Sequence, residues 1–132
     1  MPIEKQLSVF VQNKVGSLGD LCAGLSKANI NIKALTVVDD LDWGIVKLIV
    51  DDTERAKETL HKLGLMFGES NVLTVDLENH SGAMAVLAET LSQKKINIEN
   101  AYATALGDRC LVVLTTTDDK KAAQLLKERP GR

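Results

Sequence analysis

The sequence has few aromatic residues, no basic excess and no long apolar run. Only four of its 132 residues are aromatic and its net charge is −2, so it is poorly equipped to stack on bases or to attract phosphates. Its apolar runs fall short of the roughly 18 residues that cross a membrane as a helix. These absences argue against a nucleic-acid partner and against a membrane partner.

Cysteine and histidine are scarce as well. The two cysteines, Cys22 and Cys110, are far apart, and neither a CxxC motif nor a Cys/His cluster occurs. The sequence therefore predicts no metal site, no disulfide framework and no cofactor. The N-terminal segment MPIEKQL lacks the apolar stretch of a signal peptide, which favours a cytoplasmic location.

The sequence does contain an internal repeat. When it is shifted along itself by 66 residues without a gap, the matched positions include Asn13 with Asn79, Gly16 with Gly82, and the INI of 30–32 with the INI of 96–98. A solenoid needs three or more short repeats, so two tandem domains fit better. We assign residues 1–68 to the first domain and residues 69–132 to the second.

Each copy has the same predicted order of elements. In the first copy an alternating strand is followed by a helix from about Ser17, two strands joined by the turn DDLDWG, and a helix capped by Asp52 or Thr53. A short fourth strand, LMF at 65–67, completes a βαββαβ unit, which is a ferredoxin-like α+β sandwich. The second copy ends in KERPGR, so its last strand is expected to be shortened or missing. That would leave a neighbouring strand edge open.

The strand-to-helix junction is the most distinctive part of the repeat. It reads NKVGSLGDL at 13–21 and NHSGAMAVL at 79–87. The first N–H groups of a helix have no intrahelical partner and carry partial positive charge, so this end can accept a carboxylate. Asparagine offers a donor and an acceptor for an amino acid's charged groups, and a second one recurs at Asn31 and Asn97.

These stretches resemble the opening of ACT domains, which are regulatory modules that bind amino acids. The resemblance covers nearly the whole chain and implies a stand-alone tandem-ACT protein. The family pattern of Asn-x-Pro-Gly-x-Leu has Val15 and Ser81 at the proline position, and Asn29 and Lys95 stand where a glycine is usual. Serine-binding members carry a histidine where this chain has a valine and a leucine, so serine specificity is not predicted.

The family resemblance also implies where a ligand sits. Two ACT units pair side by side into one continuous antiparallel sheet with the helices on one face, and the ligand lies between units. By position, Asn13 would act with Asn97, and Asn79 with Asn31. The implied ligand-binding residues are Asn13, Val15, Gly16, Ser17, Leu18, Asn31, Asn79, Ser81, Gly82, Ala83, Met84 and Asn97. The implied partners are a small amino acid, a second copy of the chain in a homodimer, and an unidentified target protein.

Two other functions remain open at this stage. The asparagines can simply end the strands and cap the helices, which would leave an assembly module without a ligand. A small enzyme of ferredoxin-like fold is the less favoured alternative, because the only histidines, His61 and His80, lack a recognisable serine or cysteine partner. We therefore predict no catalytic residue and no enzyme activity.

Overall fold

The computed structural model describes residues 3–40 and 42–127. These form ten elements in chain order: β1 (Ile3–Gln12), α1 (Ser17–Lys27), β2 (Ile32–Asp40), β3 (Trp43–Val50), α2 (Thr53–Lys62), β4 (Met66–Glu78), α3 (Ala83–Gln93), β5 (Ile98–Leu106), β6 (Arg109–Thr116) and α4 (Asp119–Lys127). They divide into two compact units. The first unit is residues 5–70, and the second is residues 71–127 together with Ile3 and Glu4.

The first unit is an antiparallel sheet covered on one face by two helices. Its strand order is β2-β3-β1-β4, and Val46 of β3 lies opposite both Val9 of β1 and Val37 of β2. The strand side chains on this face form one buried cluster with Leu21 and Leu25 of α1 and with Ala56 and Leu60 of α2. Every second side chain of the strands thus faces the core on one side, and the apolar faces of the two helices enclose it on the other.

The second unit repeats this arrangement. Strand β6 lies between β4 and β5, with Val112 opposite both Val75 and Ala103. A second buried cluster joins these strands to Leu87 and Leu91 of α3 and to α4. The predicted ferredoxin-like fold is confirmed, as βαββαβ in the first unit and as βαββα over the described residues of the second.

Strand β4 corrects the sequence interpretation. LMF was expected to be a short strand separate from the first strand of the second copy, but Met66–Glu78 is one strand of 13 residues that ends the first repeat and begins the second. The compact units divide at residues 70 and 71. The predicted domain bounds at 68 and 69 stay a prediction, and the residues expected to lack a final strand, 128–132, lie outside the described chain.

Another expectation concerned the edge of the strand that begins the second copy. It was expected to be open, yet Ile3 and Glu4 of β1 belong to the second unit, where β1 neighbours β4. There Thr74 Oγ1 donates a hydrogen bond to Glu4 Oε2 at 2.6 Å. The first described residues of the chain therefore occupy a position beside β4, at part of the edge that was expected to be open.

The helix ends follow from local hydrogen bonds. Asp52 caps α2 by accepting from the Arg55 backbone N–H at 3.1 Å, and Asp118 accepts from that of Lys121 at the same distance. Asp52 is one of the two cap residues that the sequence predicted for this helix. No described helix combines the length and the apolarity that crossing a membrane would need.

The C-terminal ends of α1 and α3 explain the missing family glycine. Asn29 and Lys95 have φ angles of 58° and 60°, in the left-handed region. At each end the next residue donates its N–H back to the helix: Ile30 to the Leu25 carbonyl and Ile96 to the Leu91 carbonyl, both at 3.0 Å. This is the Schellman pattern, in which glycine is the usual residue at the left-handed position.

Candidate functional site

The junction between β1 and α1 is tied to the hairpin that joins β2 to β3. The Asn13 backbone N–H donates to the Asp42 carbonyl at 2.8 Å, and Asn13 Nδ2 donates to Asp39 Oδ1 at 2.6 Å. Gly16 then turns the chain with a φ of 92°, and α1 begins at Ser17. A residue with a Cβ is strained at this angle, which accounts for the recurring glycine.

The second copy builds the same junction with a different acceptor. The Asn79 backbone N–H donates to the Asp108 carbonyl at 2.8 Å, and Asn79 Nδ2 donates to the Gly107 carbonyl at 2.9 Å. Gly82 has a φ of 88° ahead of α3. In both copies the first asparagine bonds to a hairpin and does not cap the helix, whereas the structural alternative was that it ends the strand and caps the helix.

Both helix N-termini are open in the described chain. No side chain caps α1 or α3 at Gly16 or Gly82. The Ser17 and Ala83 N–H groups donate to the Lys14 and His80 carbonyls, and the following first-turn N–H groups have no side-chain acceptor among the described residues. Val15, at the family's proline position, is fully exposed, and Leu18 and Met84 in the first turns are 39% and 40% exposed. The two ends have the geometry that accepts an anion such as an amino acid's carboxylate.

The second pair of asparagines lies elsewhere. Asn31 exchanges hydrogen bonds with Asp51, donating its N–H to Asp51 Oδ1 and accepting at its carbonyl from the Asp51 N–H. Asn97 makes the equivalent bonds with Thr117. Both residues lie at the start of the second strand of their repeat, so Asn13 and Asn31 are at opposite ends of one unit.

The predicted site residues therefore fall into four places. Asn13, Val15, Gly16, Ser17 and Leu18 lie together at the start of α1, and Asn79, Ser81, Gly82, Ala83 and Met84 lie together at the start of α3. Asn31 and Asn97 lie at the far end of their own units. Within a unit, the structure brings the loop residues together but not the two asparagines.

The first unit also contains a groove that the sequence analysis missed. It encloses about 1060 Å³ at the C-terminal end of β1, and it is bounded by the first turn of α1 and by the segment joining α2 to β4. Its lining includes Phe10, Trp43, Leu63, Leu65 and Met66. Trp43 is 53% exposed and Met66 is 71% exposed, so the groove presents apolar surface to solvent. Ser17 is the only predicted site residue that lines it.

The second copy has an ion pair where this groove has its aromatic rings. In the 66-residue register, Phe10 corresponds to Asp76 and Trp43 to Arg109. Asp76 Oδ1 accepts from Arg109 Nη2 at 2.9 Å and from Arg109 Nε at 3.0 Å. This difference is visible in the sequence, at positions where the two copies do not match.

Two titratable groups among the described residues have raised pKa values. Burial raises the pKa of Tyr102 to about 12, and the hydrogen bonds of Glu54 and Glu69 raise that of Lys57. Neither residue belongs to the strand-to-helix junctions. No group of three metal-ligating side chains occurs among residues 3–40 and 42–127.

Comparisons with known proteins identify the family. The model of the ACT domain pair matches residues 1–129. The crystal structure of protein BT0572 from Bacteroides thetaiotaomicron is 32% identical, with a TM-score of 0.91 over 96% of this chain and 88% of that one. No curated protein matches.

More distant structures share the fold. The regulatory subunit of aspartate kinase from Thermus thermophilus has a TM-score of 0.72 at 14% identity, over 94% of this chain and 90% of that one. The same subunit from Thermus flavus has a TM-score of 0.67 at 12% identity, over 96% and 93%. Together with the family model, which spans nearly all of the repeat described above, the likeness to BT0572 shows that the chain belongs to the ACT domain pair family.

Proposed function

We propose that the protein is a regulatory module that binds a free amino acid between its two repeats. The observation that carries this proposal is the duplicated helix N-terminus, which follows a left-handed glycine and has no side-chain cap in either described copy. Unsatisfied N–H groups at such an end bind a carboxylate without a charged side chain. Family membership supports the same function.

A site of this kind needs both copies. Asn13 lies beside the β2–β3 hairpin, whereas Asn31 lies at the other end of β2. A strand of nine residues separates the two ends, which is about 30 Å at the rise of an extended chain. One repeat therefore cannot offer both of its own asparagines to a small ligand. The proposed pairs are Asn13 with Asn97, and Asn79 with Asn31.

The asparagines would act at the ligand's ammonium group. Asn79 Nδ2 is already engaged with the Gly107 carbonyl, but its Oδ1 accepts no hydrogen bond from the described residues. An amide oxygen held in place by the bond at Nδ2 is a suitable acceptor for an ammonium proton. The helix N-terminus would meanwhile bind the carboxylate, so the two ends of a zwitterion are recognised by different elements.

The protein would regulate another protein chain, or it would control the free concentration of the amino acid that it binds. Structural neighbours named as regulatory subunits of aspartate kinase share the fold, which supports a regulatory rather than a catalytic role. The identity of the target and the expected cytoplasmic location stay predictions.

A thermal-shift and calorimetry panel of the common amino acids at millimolar concentration tests the proposal. A ligand at 100 times its Kd stabilises the folded state by about 2.7 kcal/mol, which is readily detected. Asn97→Ala and Asn79→Ala should each weaken the response, while Asn100→Ala on β5 serves as the control and should leave it unchanged. A panel without any stabilising amino acid contradicts the proposal and leaves the assembly module as the better function.

A homodimer belongs to the same proposal. Among residues 3–40 and 42–127, β2 is hydrogen-bonded to β3 alone, and Leu35, Val37 and Val38 on this strand remain between 37% and 49% exposed. An edge strand with exposed apolar side chains favours pairing with a second chain. Sedimentation should show a dimer at tens of micromolar, and Val37→Lys should convert it to a monomer. A monomeric parent protein at that concentration contradicts this part of the proposal.

A further inference from the structure

The two strand-to-helix junctions share one backbone geometry. We call residues 13–20 the α1 junction and residues 79–86 the α3 junction. The φ angles of Gly16 and Gly82 are 92° and 88°, and neither helix has a side-chain cap. In each copy the next N–H donates to the carbonyl three residues earlier, at 3.3 Å in the α1 junction and 3.2 Å in the α3 junction. A difference in how the two helix ends bind an anion must therefore come from the side chains around them.

Two carboxylates lie at the α1 junction. Asp20 is exposed in the first turn of α1, and its carboxylate makes no ion pair or hydrogen bond with the described residues. Asp39 lies near the end of β2, and its Oδ1 accepts from Asn13 Nδ2 at 2.6 Å. An acidic side chain near a helix N-terminus interacts with the partial positive charge there. The two aspartates therefore repel a carboxylate that approaches the same N–H groups.

The α3 junction has neither of these carboxylates. In the 66-residue register the positions of Asp20 and Asp39 hold Val86 and Ala105, and the first turn of α3 contains no acid. Asn79 Nδ2 donates to a neutral backbone carbonyl at 2.9 Å instead. The partial positive charge of this helix end is thus left for a ligand.

The remaining charges reduce this difference but do not remove it. Asp42 and Asp108 correspond in the register, and each bonds its junction through the backbone carbonyl, so their charges cancel in the comparison. Lys14 adds one positive charge to the α1 junction, where the α3 junction has His80. Two aspartates against one lysine leave the α1 junction with the more negative set of side chains.

We propose that the α3 junction binds a carboxylate ligand before the α1 junction does, and that Asp20 and Asp39 set this order. The inference rests on the proposed function and deepens it, because it assigns the residues that make the two sites unequal. A single charge near an exposed helix end changes affinity by about two- to fivefold. The α1 junction should therefore need at least about a fivefold higher ligand concentration.

The asparagines favour the same order. Asn13 Nδ2 is held by the Asp39 carboxylate, and Asn13 has a further interaction besides this bond. By contrast, Asn79 Oδ1 accepts no hydrogen bond from residues 3–40 and 42–127, so it is available to an ammonium proton. One chain consequently responds to its ligand in two steps of concentration.

Amide NMR of the full-length, ¹⁵N-labelled protein follows each junction separately. The probes are sodium acetate, which carries a carboxylate alone, and the common L-amino acids, all titrated at constant ionic strength. The N–H signals of residues 84–86 should shift and saturate at a concentration at least about fivefold lower than those of residues 18–20. Sodium chloride over the same range should produce no saturable shift at either junction.

Reciprocal variants exchange the charges of the two copies. Asp20→Val with Asp39→Ala gives the α1 junction the side chains of the second copy, and it should lower the midpoint of the α1 junction to that of the α3 junction or below. Val86→Asp with Ala105→Asp gives the α3 junction the two carboxylates, and it should weaken binding there by about five- to twentyfold.

The second variant keeps the bond between Asn13 and Asp39, so the test does not depend on how the first variant folds. The control Glu58→Gln with Glu89→Gln also removes two exposed acids, but it does so outside both junctions. It should leave both midpoints as they are in the parent protein, which separates a local effect from a change in net charge.

Three results overturn the inference. Equal midpoints in the parent, or an α1 junction that fills first, refute the order of binding and leave the proposed function standing. An unchanged midpoint in either folded variant refutes the assignment to Asp20 and Asp39, again without touching the proposed function. The absence of any saturable shift at both junctions, with every amino acid of the panel, contradicts the proposed function itself and the inference with it.

Discussion

Asn13 Nδ2 lies 2.6 Å from Asp39 Oδ1 and joins the start of α1 to the β2–β3 hairpin. In the second copy the corresponding asparagine, Asn79, bonds a backbone carbonyl at Gly107 instead. The same junction is therefore held by a carboxylate in one copy and by the main chain in the other. Substitution of a hairpin side chain can release the junction only in the first copy.

A double-mutant cycle measures this link. Asn13→Ala and Asp39→Ala should show a coupling of roughly 0.5–1.5 kcal/mol in the free energy of unfolding, the range for a hydrogen bond in proteins. The matched control is Asp42→Ala, because Asn13 bonds the backbone carbonyl of Asp42, which this variant keeps. Additive effects of the Asn13 and Asp39 substitutions in chemical denaturation would show that the side-chain bond contributes nothing.

Replacement of Lys95 by glycine should stabilise the protein. Lys95 has a φ of 60°, which is unfavourable for a residue with a Cβ but not for glycine, so Lys95→Gly should raise the unfolding free energy by about 0.5–1 kcal/mol. Lys94→Gly is the control, since Lys94 has a φ of −102° and glycine there only adds flexibility to the unfolded chain. The two substitutions remove the same charge, so denaturation curves shifted in the same direction would contradict the backbone explanation.

The phenol of Tyr102 should lose its proton at a higher pH than an ordinary tyrosine. Burial raises its pKa to about 12, against about 10 in an unfolded chain. The folded state therefore holds this proton more tightly. The stability that Tyr102 contributes is fully present below pH 10 and is lost as the pH rises toward 12.

Phenolate absorbance can follow this titration without interference from another tyrosine, because Tyr102 is the only one. The native protein should give a midpoint well above that of the same protein in concentrated guanidinium. Coincident midpoints, with the native protein still folded by circular dichroism, would mean that the side chain is open to water.

The aspartate caps of α2 and α4 should contribute similar amounts to the free energy of unfolding. Asp52→Ala and Asp118→Ala each leave a first-turn N–H without its acceptor, and each should lower the unfolding free energy by about 1 kcal/mol. Asp52→Asn is the conservative control and should retain most of the stability, because asparagine caps helices about as well. A loss as large with asparagine as with alanine would indicate that charge, rather than capping, matters at this position.

Local signals predicted most of the secondary structure. The sequence predicted a helix from about Ser17 and the same order of elements in the second copy, and the observed helices are Ser17–Lys27 and Ala83–Gln93. The second strand begins at Ile32 and does not include Ile30, the first isoleucine of the INI stretch. The reason is that the Ile30 N–H closes the end of α1 by bonding to the Leu25 carbonyl, so its backbone is not part of the strand.

Two features depended on contacts between distant parts of the chain. Residues 68–71 read GESN, a composition that favours a turn, yet they continue strand β4 because the neighbouring strand β1 supplies hydrogen-bond partners. The groove brings the end of β1, the start of β3 and the end of α2 together, and no single stretch of sequence contains these elements. The asparagine pairs, by contrast, were recognisable from their spacing, although what they bind remains a proposal.

Because β4 is continuous, a division between the two repeats does not leave two complete structural units. A division after residue 70 would fall inside a strand, and the fragment that begins at residue 71 would lack Ile3 and Glu4, which belong to its unit. A gene fragment encoding the second copy alone would then encode an incomplete structure, whatever its sequence similarity to the first. An engineered exchange of the second repeat must therefore also include the equivalents of Ile3 and Glu4 from the start of the chain.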